Sequence, residues 1–154
     1  MNTERLAVLA EWLEKGAPHE RITFDMCRGI GFSISLASVY YHALNGNPAN
    51  ACKTSCCIAG SAVQFFGDVA ELVAKLDEYE VFCFENNMPF DDVHNAAAEL
   101  LGLDEDQSYY LFTPHIEETE HPYDSLAYYD KPAWAARVIR NLIATGIVDW
   151  RACE

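Results

Sequence analysis

The spacing of apolar residues at the start of the chain predicts an amphipathic α-helix. Leu6, Leu9 and Leu13 recur at intervals of three and four residues, which places their side chains on one helical face. Thr3 precedes this run and is expected to cap the helix, because its hydroxyl can accept a hydrogen bond from an unsatisfied backbone N–H. Gly16 is expected to end the helix.

A second apolar stretch, residues 56–66, is hydrophobic on nearly every side. A helix without a polar face is stable only when other elements cover it, so this stretch predicts a buried central helix. Thr54 or Ser55 is expected to cap its start, and Gly67 is expected to end it.

Acidic residues mark the beginnings of three further predicted helices. Asp68 is followed three residues later by Glu71, which is the spacing of a capping box. Asp91 or Asp92 is expected to cap the next helix, and Asp104 the one after it. Acids at these positions are also stabilised by the partial positive charge of a helix N-terminus.

The last helix is predicted between Pro132 and Gly146, with Trp150 folding back onto the core. Short extended pieces are predicted at residues 22–26 and 81–84. The chain of 154 residues has the length of one ordinary domain. Together these patterns predict a mainly α fold within a single domain, residues 1–154. We expect a compact bundle of about six helices around the buried central helix, with one or two short extended pieces.

The distribution of charge divides the chain into three parts. Residues 68–130 contain seventeen acids and one base, Lys75, for a net charge of −16, whereas residues 1–67 contain five of each. Residues 131–154 contain two acids and four bases, so the whole chain has a formal net charge of −14. The middle part therefore repels nucleic acid and anionic membranes and attracts basic protein surfaces.

Ten acids of this middle part are predicted to form a partner-binding surface. The net charge of residues 68–130, −16, equals that of roughly 27 Å of duplex DNA, which carries one charge per ~1.7 Å of axis. A surface of that density can occupy a channel that normally holds nucleic acid. The ten residues are Glu78, Glu80, Glu85, Asp91, Asp92, Glu105, Asp106, Glu117, Glu118 and Glu120.

Residues 52–60 resemble a helix-opening motif in a group of small phage and bacterial proteins. The motif has the pattern C-G-T-x-x-C-I-A-G, and here it reads C-K-T-S-C-C-I-A-G. Lys53 replaces the usual Gly, and Ser61 stands where a bulky residue is common. Further similar pieces follow the same order along the chain, at residues 24–26, 98–103, 111–112 and 145–150. The resemblance implies a helical fold and a phage or mobile-element setting, and it carries over no catalytic residue, since the group has no settled activity.

The leading functional hypothesis combines the charge with this resemblance. It describes an acidic, phage-type interaction protein that binds a basic, nucleic-acid-handling host partner. Inhibition of a host defence complex, in the manner of DNA mimics and anti-CRISPR proteins, is one form of this function. No catalytic residue, metal ligand, cofactor, direct nucleic-acid contact or membrane contact is assigned. The N-terminus lacks a signal pattern and no apolar stretch approaches the ~20 residues of a membrane span, so a cytoplasmic location is expected.

Three alternatives remain open. The acids could serve solubility alone. Cys52, Cys56 and Cys57 could form a cysteine-dependent enzyme or a thiol–metal site, since a helix N-terminus activates a thiol. His115 and His121 enclose a segment rich in residue types that bind metals. Their spacing of six residues places them poorly on one helical face, so the spacing does not favour a metal site there. The chain could instead be a structural or regulatory oligomer, and its oligomeric state is left open.

Overall fold

Helices make up most of the part of the chain that the computed structural model describes, which comprises residues 1–19, 22–24, 30–32, 54–68, 71–72, 75, 90–113 and 132–153. The prediction of a mainly α fold is confirmed. Five helices have defined ends within these residues: α1 (Thr3–Glu14), α2 (Ile58–Phe66), α3 (Phe90–Leu101), α4 (Glu105–Phe112) and α5 (Pro132–Thr145). Three short strands accompany them: β1 (Ile22–Phe24), β2 (Ile30–Phe32) and β3 (Thr54–Cys56).

Two helix pairs, α1 with α5 and α2 with α3, provide most of the helix packing. Leu6, Leu9 and Leu13, the predicted stripe of α1, are at most 1% exposed. Ile139 and Leu142 on α5 are completely buried against the same core. Burial of one such side chain contributes about 1.5–3 kcal/mol, so these stripes account for a large part of the stability.

An ion pair closes the solvent edge of the α1–α5 interface. Arg140 donates from Nε to Glu14 Oε1 at 2.9 Å and from Nη2 to Glu14 Oε2 at 3.1 Å. The hydrogen bond from Arg140 holds the pKa of Glu14 below its usual value. The charges of these two helices are thus partly neutralised by pairing within the chain.

The strands form one small sheet with β3 in the middle. β1 runs parallel to β3 and pairs Phe24 with Cys56, whereas β2 runs antiparallel and pairs Ile30 with the same cysteine. The extended piece predicted at residues 22–26 is confirmed as β1. Three strands are one more than the sequence pattern indicates for the whole chain.

The apolar stretch before Gly67 is a helix, but it begins later than predicted. Its first six residues, Ile58 to Val63, are all buried, as expected for a helix without a polar face. Thr54 and Ser55 were expected to cap it, and this is wrong, because both belong to β3. Cys57 occupies the N-cap position without a side-chain cap hydrogen bond, and Gly67 is the C-cap.

The helix starts agree with the sequence pattern at some positions and differ by one residue at others. Asn2, not Thr3, caps α1, because its Oδ1 accepts the N–H of Arg5 at 3.1 Å. α3 begins at Phe90, so the two aspartates expected to cap it lie instead in its first turn. The predicted role of Asp68 is supported, since its Oδ1 accepts the N–H of Glu71 at 3.1 Å.

The other predicted features divide between confirmed and undescribed ones. Gly16, Gly102 and Gly146 each follow a helix with positive φ, and Trp150 is 7% exposed, having folded back onto the core. The extended piece predicted at residues 81–84 and the loop with His115 and His121 lie outside the described residues. Among the described helices, none combines the length and apolar composition needed to cross a bilayer.

Gly102 gives a test of how the chain N-terminus is held. The N–H of Asn2 donates to Leu101 O at 2.6 Å, and a Cβ added at Gly102 would lie 3.3 Å from that nitrogen. Gly16 has a similar φ, +82° against +61°, but no atom within 4 Å of an added Cβ. We expect Gly16→Ala to cost about 1–2 kcal/mol for the strained backbone and Gly102→Ala about 1 kcal/mol more.

Urea unfolding of the two variants measures this difference. Equal losses of stability would show that the contact with Asn2 relaxes without cost.

Candidate acidic interaction surface

Four of the ten predicted partner-binding acids lie in the described part of the chain. Asp91 and Asp92 occupy the first turn of α3, and Glu105 and Asp106 the first turn of α4. Asp92 is half-buried, and the other three are exposed. The remaining six lie outside the described residues: Glu78, Glu80, Glu85, Glu117, Glu118 and Glu120.

These four acids form two separate pairs and not one cluster. Asp91 and Asp92 stand at the beginning of α3, whereas Glu105 and Asp106 follow its end. At 1.5 Å per residue, the length of α3 separates the pairs by roughly 14 Å along the helix axis. Each pair lies at a helix N-terminus, where the helix dipole stabilises negative charge, so each has a local structural role.

The start of α4 is fixed by a complete capping box, in which Asp104 is the cap that the sequence predicted. Asp104 Oδ1 accepts the N–H of Gln107 at 2.8 Å, and Gln107 Oε1 accepts the N–H of Asp104 at 3.4 Å. The same amide of Gln107 also donates from Nε2 to Gly146 O at 3.0 Å. One side chain therefore closes the first turn of α4 and attaches it to the end of α5.

The last turn of α4 is held by Trp150, which is held in turn by Trp134. Trp150 donates from Nε1 to Tyr110 O at 2.8 Å, and Trp134 donates from Nε1 to Trp150 O at 3.0 Å. The two indoles also meet edge to face, with ring centroids 5.0 Å apart. α4 is thus attached to α5 and to the segment after it, and its outer side faces solvent.

That outer side carries two adjacent tyrosines. Tyr109 is 51% and Tyr110 52% exposed, and their ring centroids lie 5.3 Å apart in an edge-to-face arrangement. Ile147, the residue after Gly146, is 63% exposed. We name Glu105, Asp106, Tyr109 and Tyr110 together the α4 face.

The tyrosines of the α4 face are absent from the residues that the sequence selected. A signal was present in the spacing, because Tyr109 follows Glu105 and Tyr110 follows Asp106 by one helical turn. The same period, however, also fits rings that point into a core. Only the packing of Leu111 and Phe112 inward shows that both rings are left at the surface.

A cleft of about 620 Å³ lies beside the C-terminal half of α3. Among its apolar residues are Val63 and Leu100, and its charged rim is partly matched within the chain. Arg5 donates from Nη1 to Leu100 O at 2.7 Å, and Lys75 Nζ lies 3.0 Å from Glu71 Oε1. Arg5 and Lys75 thus already have partners within the chain, and we take the α4 face as the candidate site because two of the predicted partner-binding acids lie there.

The cysteine hypothesis gains no support from the geometry. Cys56 and Cys57 are 0% and 1% exposed within the hydrophobic core, the usual surroundings of a structural cysteine. Cys52 lies outside the described residues. Within those residues, no group of three or more histidine, cysteine or acidic side chains is arranged to hold a metal ion.

His94 connects the first half of α3 to the end of α4. Its ring centroid lies 5.2 Å from that of Phe112. Burial lowers the pKa of His94 from its ordinary value of 6.5, and the negative charge of Asp91 opposes this shift. The contact shows that α4 folds back along α3.

Comparisons of the chain with family models, with curated proteins and with solved structures gave no match. No relative therefore assigns a role to any residue of the α4 face, and the resemblance to small phage and bacterial proteins stays a prediction.

The lowered pKa of His94 leads us to predict a loss of stability in mild acid. Its pKa is lower in the folded than in the unfolded chain, so the unfolded chain binds the proton first as the pH falls below 6.5. We expect the free energy of unfolding to decrease between about pH 7.5 and about pH 5.5, and to decrease less in His94→Gln.

Urea unfolding of both proteins at the two pH values gives the comparison. A decrease of equal size in both would show that His94 does not contribute to it.

Proposed function

We propose that this chain is an acidic interaction protein that binds the basic surface of a nucleic-acid-handling partner. The observation that carries the proposal is the exposure of the acids between residues 68 and 130. Eight of them are described, and every one except the half-buried Asp92 is exposed. The only base of this part, Lys75, is already paired with Glu71 at 3.0 Å.

The surrounding helices offset this charge only in part, through Arg5 and Arg137, which donate to backbone carbonyls. Among the described residues, α1 carries Lys15 paired with Glu11, and α5 carries Arg140 paired with Glu14. The exposed acids at the starts of α3 and α4 therefore each contribute a local negative potential. Such a potential accelerates association with a basic surface and makes binding depend strongly on salt.

A basic surface of this kind is found where a protein holds nucleic acid. Duplex DNA presents regularly spaced negative charge, and a protein that binds it places lysine and arginine opposite the phosphates. An acidic helical surface can occupy the same channel and exclude the nucleic acid. In a phage setting, which the resemblance at residues 52–60 favours, the effect is inhibition of a defence complex in the cytoplasm of the host.

Affinity capture from a bacterial lysate at about 50 mM salt tests the proposal. We expect a basic protein to be retained and to be released by added duplex DNA, since both compete for one surface. The variant Asp91→Asn with Glu105→Gln should weaken retention about 3- to 10-fold, because each exposed charge contributes about 0.3–0.7 kcal/mol.

The matched control is Glu4→Gln with Glu11→Gln, which changes the net charge equally but on α1. The proposal is contradicted when no basic protein is captured, or when both double variants bind it alike. The mass of the pure protein in solution distinguishes an oligomer, whose retained component would be the chain itself.

A further inference from the structure

The cleft beside the C-terminal half of α3, which we name the α3 cleft, has an apolar lining that the core covers only in part. Its volume of about 620 Å³ falls within the range of about 300–1,000 Å³ that is usual for ligand-binding clefts. Apart from the buried Val63, the apolar residues that line it are partly buried: Phe66, Leu72, Ala96 and Leu100. Covering these side chains removes apolar surface from water, so an apolar group is a favourable occupant.

The charged side chains of the α3 cleft are mostly acidic. Asp68, Glu71 and Glu99 line it and are all exposed, against two bases, Arg5 and Lys75. These three are among the eight described acids of residues 68–130. The excess of acids is complementary to a positive charge and repels an anion. An apolar group that lies next to a base therefore fits both the lining and the charge of the cleft.

The two bases of the cleft are engaged within the chain. Lys75 Nζ lies 3.0 Å from Glu71 Oε1. Arg5 donates to Leu100 O at 2.7 Å, and its guanidinium carbon lies 5.5 Å from the centroid of the Phe66 ring. Leu100 O is one of the last carbonyls of α3, where the partial negative charge of the helix C-terminus offsets part of the charge of Arg5. Arg5 therefore holds the wall of the cleft together.

Glu99 is the acid of the cleft whose charge is left for a partner. Among the described residues, its carboxylate takes part in no ion pair or hydrogen bond. Glu71, in contrast, is paired with Lys75, and Asp68 Oδ1 accepts the N–H of Glu71. Glu99 also precedes Leu100 in the chain, so a carboxylate adjoins the apolar lining.

We propose that the α3 cleft binds an apolar side chain of the basic partner that is flanked by lysine or arginine. This inference rests on the proposed function and names the segment of the partner that the acidic protein recognises. The apolar side chain lies against Phe66 and Leu100, and the neighbouring base pairs with Glu99. Burial of the apolar side chain depends little on salt, whereas the ion pair weakens as salt is added. The cleft thus discriminates between basic surfaces that charge alone does not distinguish.

Two lysine peptides of about nine residues, which differ only in a central leucine or serine, serve as probes of equal charge. Titration calorimetry of the full chain at about 50 mM salt gives the two dissociation constants. We expect the leucine peptide to bind about fivefold more tightly, because only its central side chain buries apolar surface in the cleft. The ratio should stay the same at about 150 mM salt, where both peptides bind more weakly.

Substitutions in the cleft locate this preference. Ala96→Leu fills the cleft from α3, so it should abolish the preference for leucine and leave binding of the serine peptide unchanged. Leu72→Ser removes apolar lining and should reduce the preference. The matched control is Val8→Ser, which removes an exposed apolar side chain from α1 and should keep it. Circular dichroism and urea midpoints establish that each variant is folded.

The charge of the cleft is tested separately from its lining. Glu99→Gln should weaken binding of both peptides about 2- to 3-fold, because one exposed ion pair is lost. Glu4→Gln removes an exposed acid from the first turn of α1 and should weaken it less.

The outcomes separate this inference from the proposed function. Equal binding of the leucine and serine peptides by the unaltered chain, or a preference that both cleft variants retain, overturns the inference and leaves the proposed function standing. Binding of neither lysine peptide at low salt contradicts the proposed function itself. Tighter binding of the corresponding glutamate peptide with a central leucine overturns the inference in favour of an anionic ligand held by Arg5.

Discussion

The hydrogen bonds of Trp150 determine how α4, which carries two of the predicted partner-binding acids, is attached to the rest of the structure. This indole joins the segment after α5 to α4 through Tyr110 O, and its own carbonyl accepts the indole N–H of Trp134 on α5. Because both donors are largely buried, loss of either would leave a backbone carbonyl without a partner in a dry environment, at a cost of about 1–3 kcal/mol. These two hydrogen bonds fix the orientation of α4. They therefore also determine which side its tyrosines face.

Much of the helical framework could be predicted because its causes are local. The leucines of α1 and the capping box of Asp104 with Gln107 are patterns within a few residues of sequence. The strand at residues 54–56 could not be predicted in this way. Its partners lie at residues 22–24 and 30–32, and a three-residue strand is specified by that distant pairing more than by its own composition. Thr54 and Ser55, both good helix caps, therefore suggested the wrong element.

The candidate site was predictable in its charge and not in its shape. Acids can be counted from sequence, and Glu105 and Asp106 are exposed as expected. Their separation from Asp91 and Asp92 follows from the length of α3, which lies between the two pairs. The exposure of Tyr109 and Tyr110 follows from the way α4 is anchored on its other side, which is a property of tertiary packing.

The argument for the proposed partner over solubility alone rests on how the charges are distributed along the chain. A soluble surface is adequately served by acids and bases in mixture, and the pairs Glu11 with Lys15 and Glu14 with Arg140 show this arrangement on α1 and α5. Residues 68–130 instead accumulate seventeen acids against one base, at the expense of mutual repulsion that destabilises the folded chain. Exposed aromatic rings are a second disadvantage, because they lower the solubility of the chain, whereas charged side chains raise it. A surface that combines both features is disadvantageous for an isolated chain, which is the physical reason for proposing a basic partner.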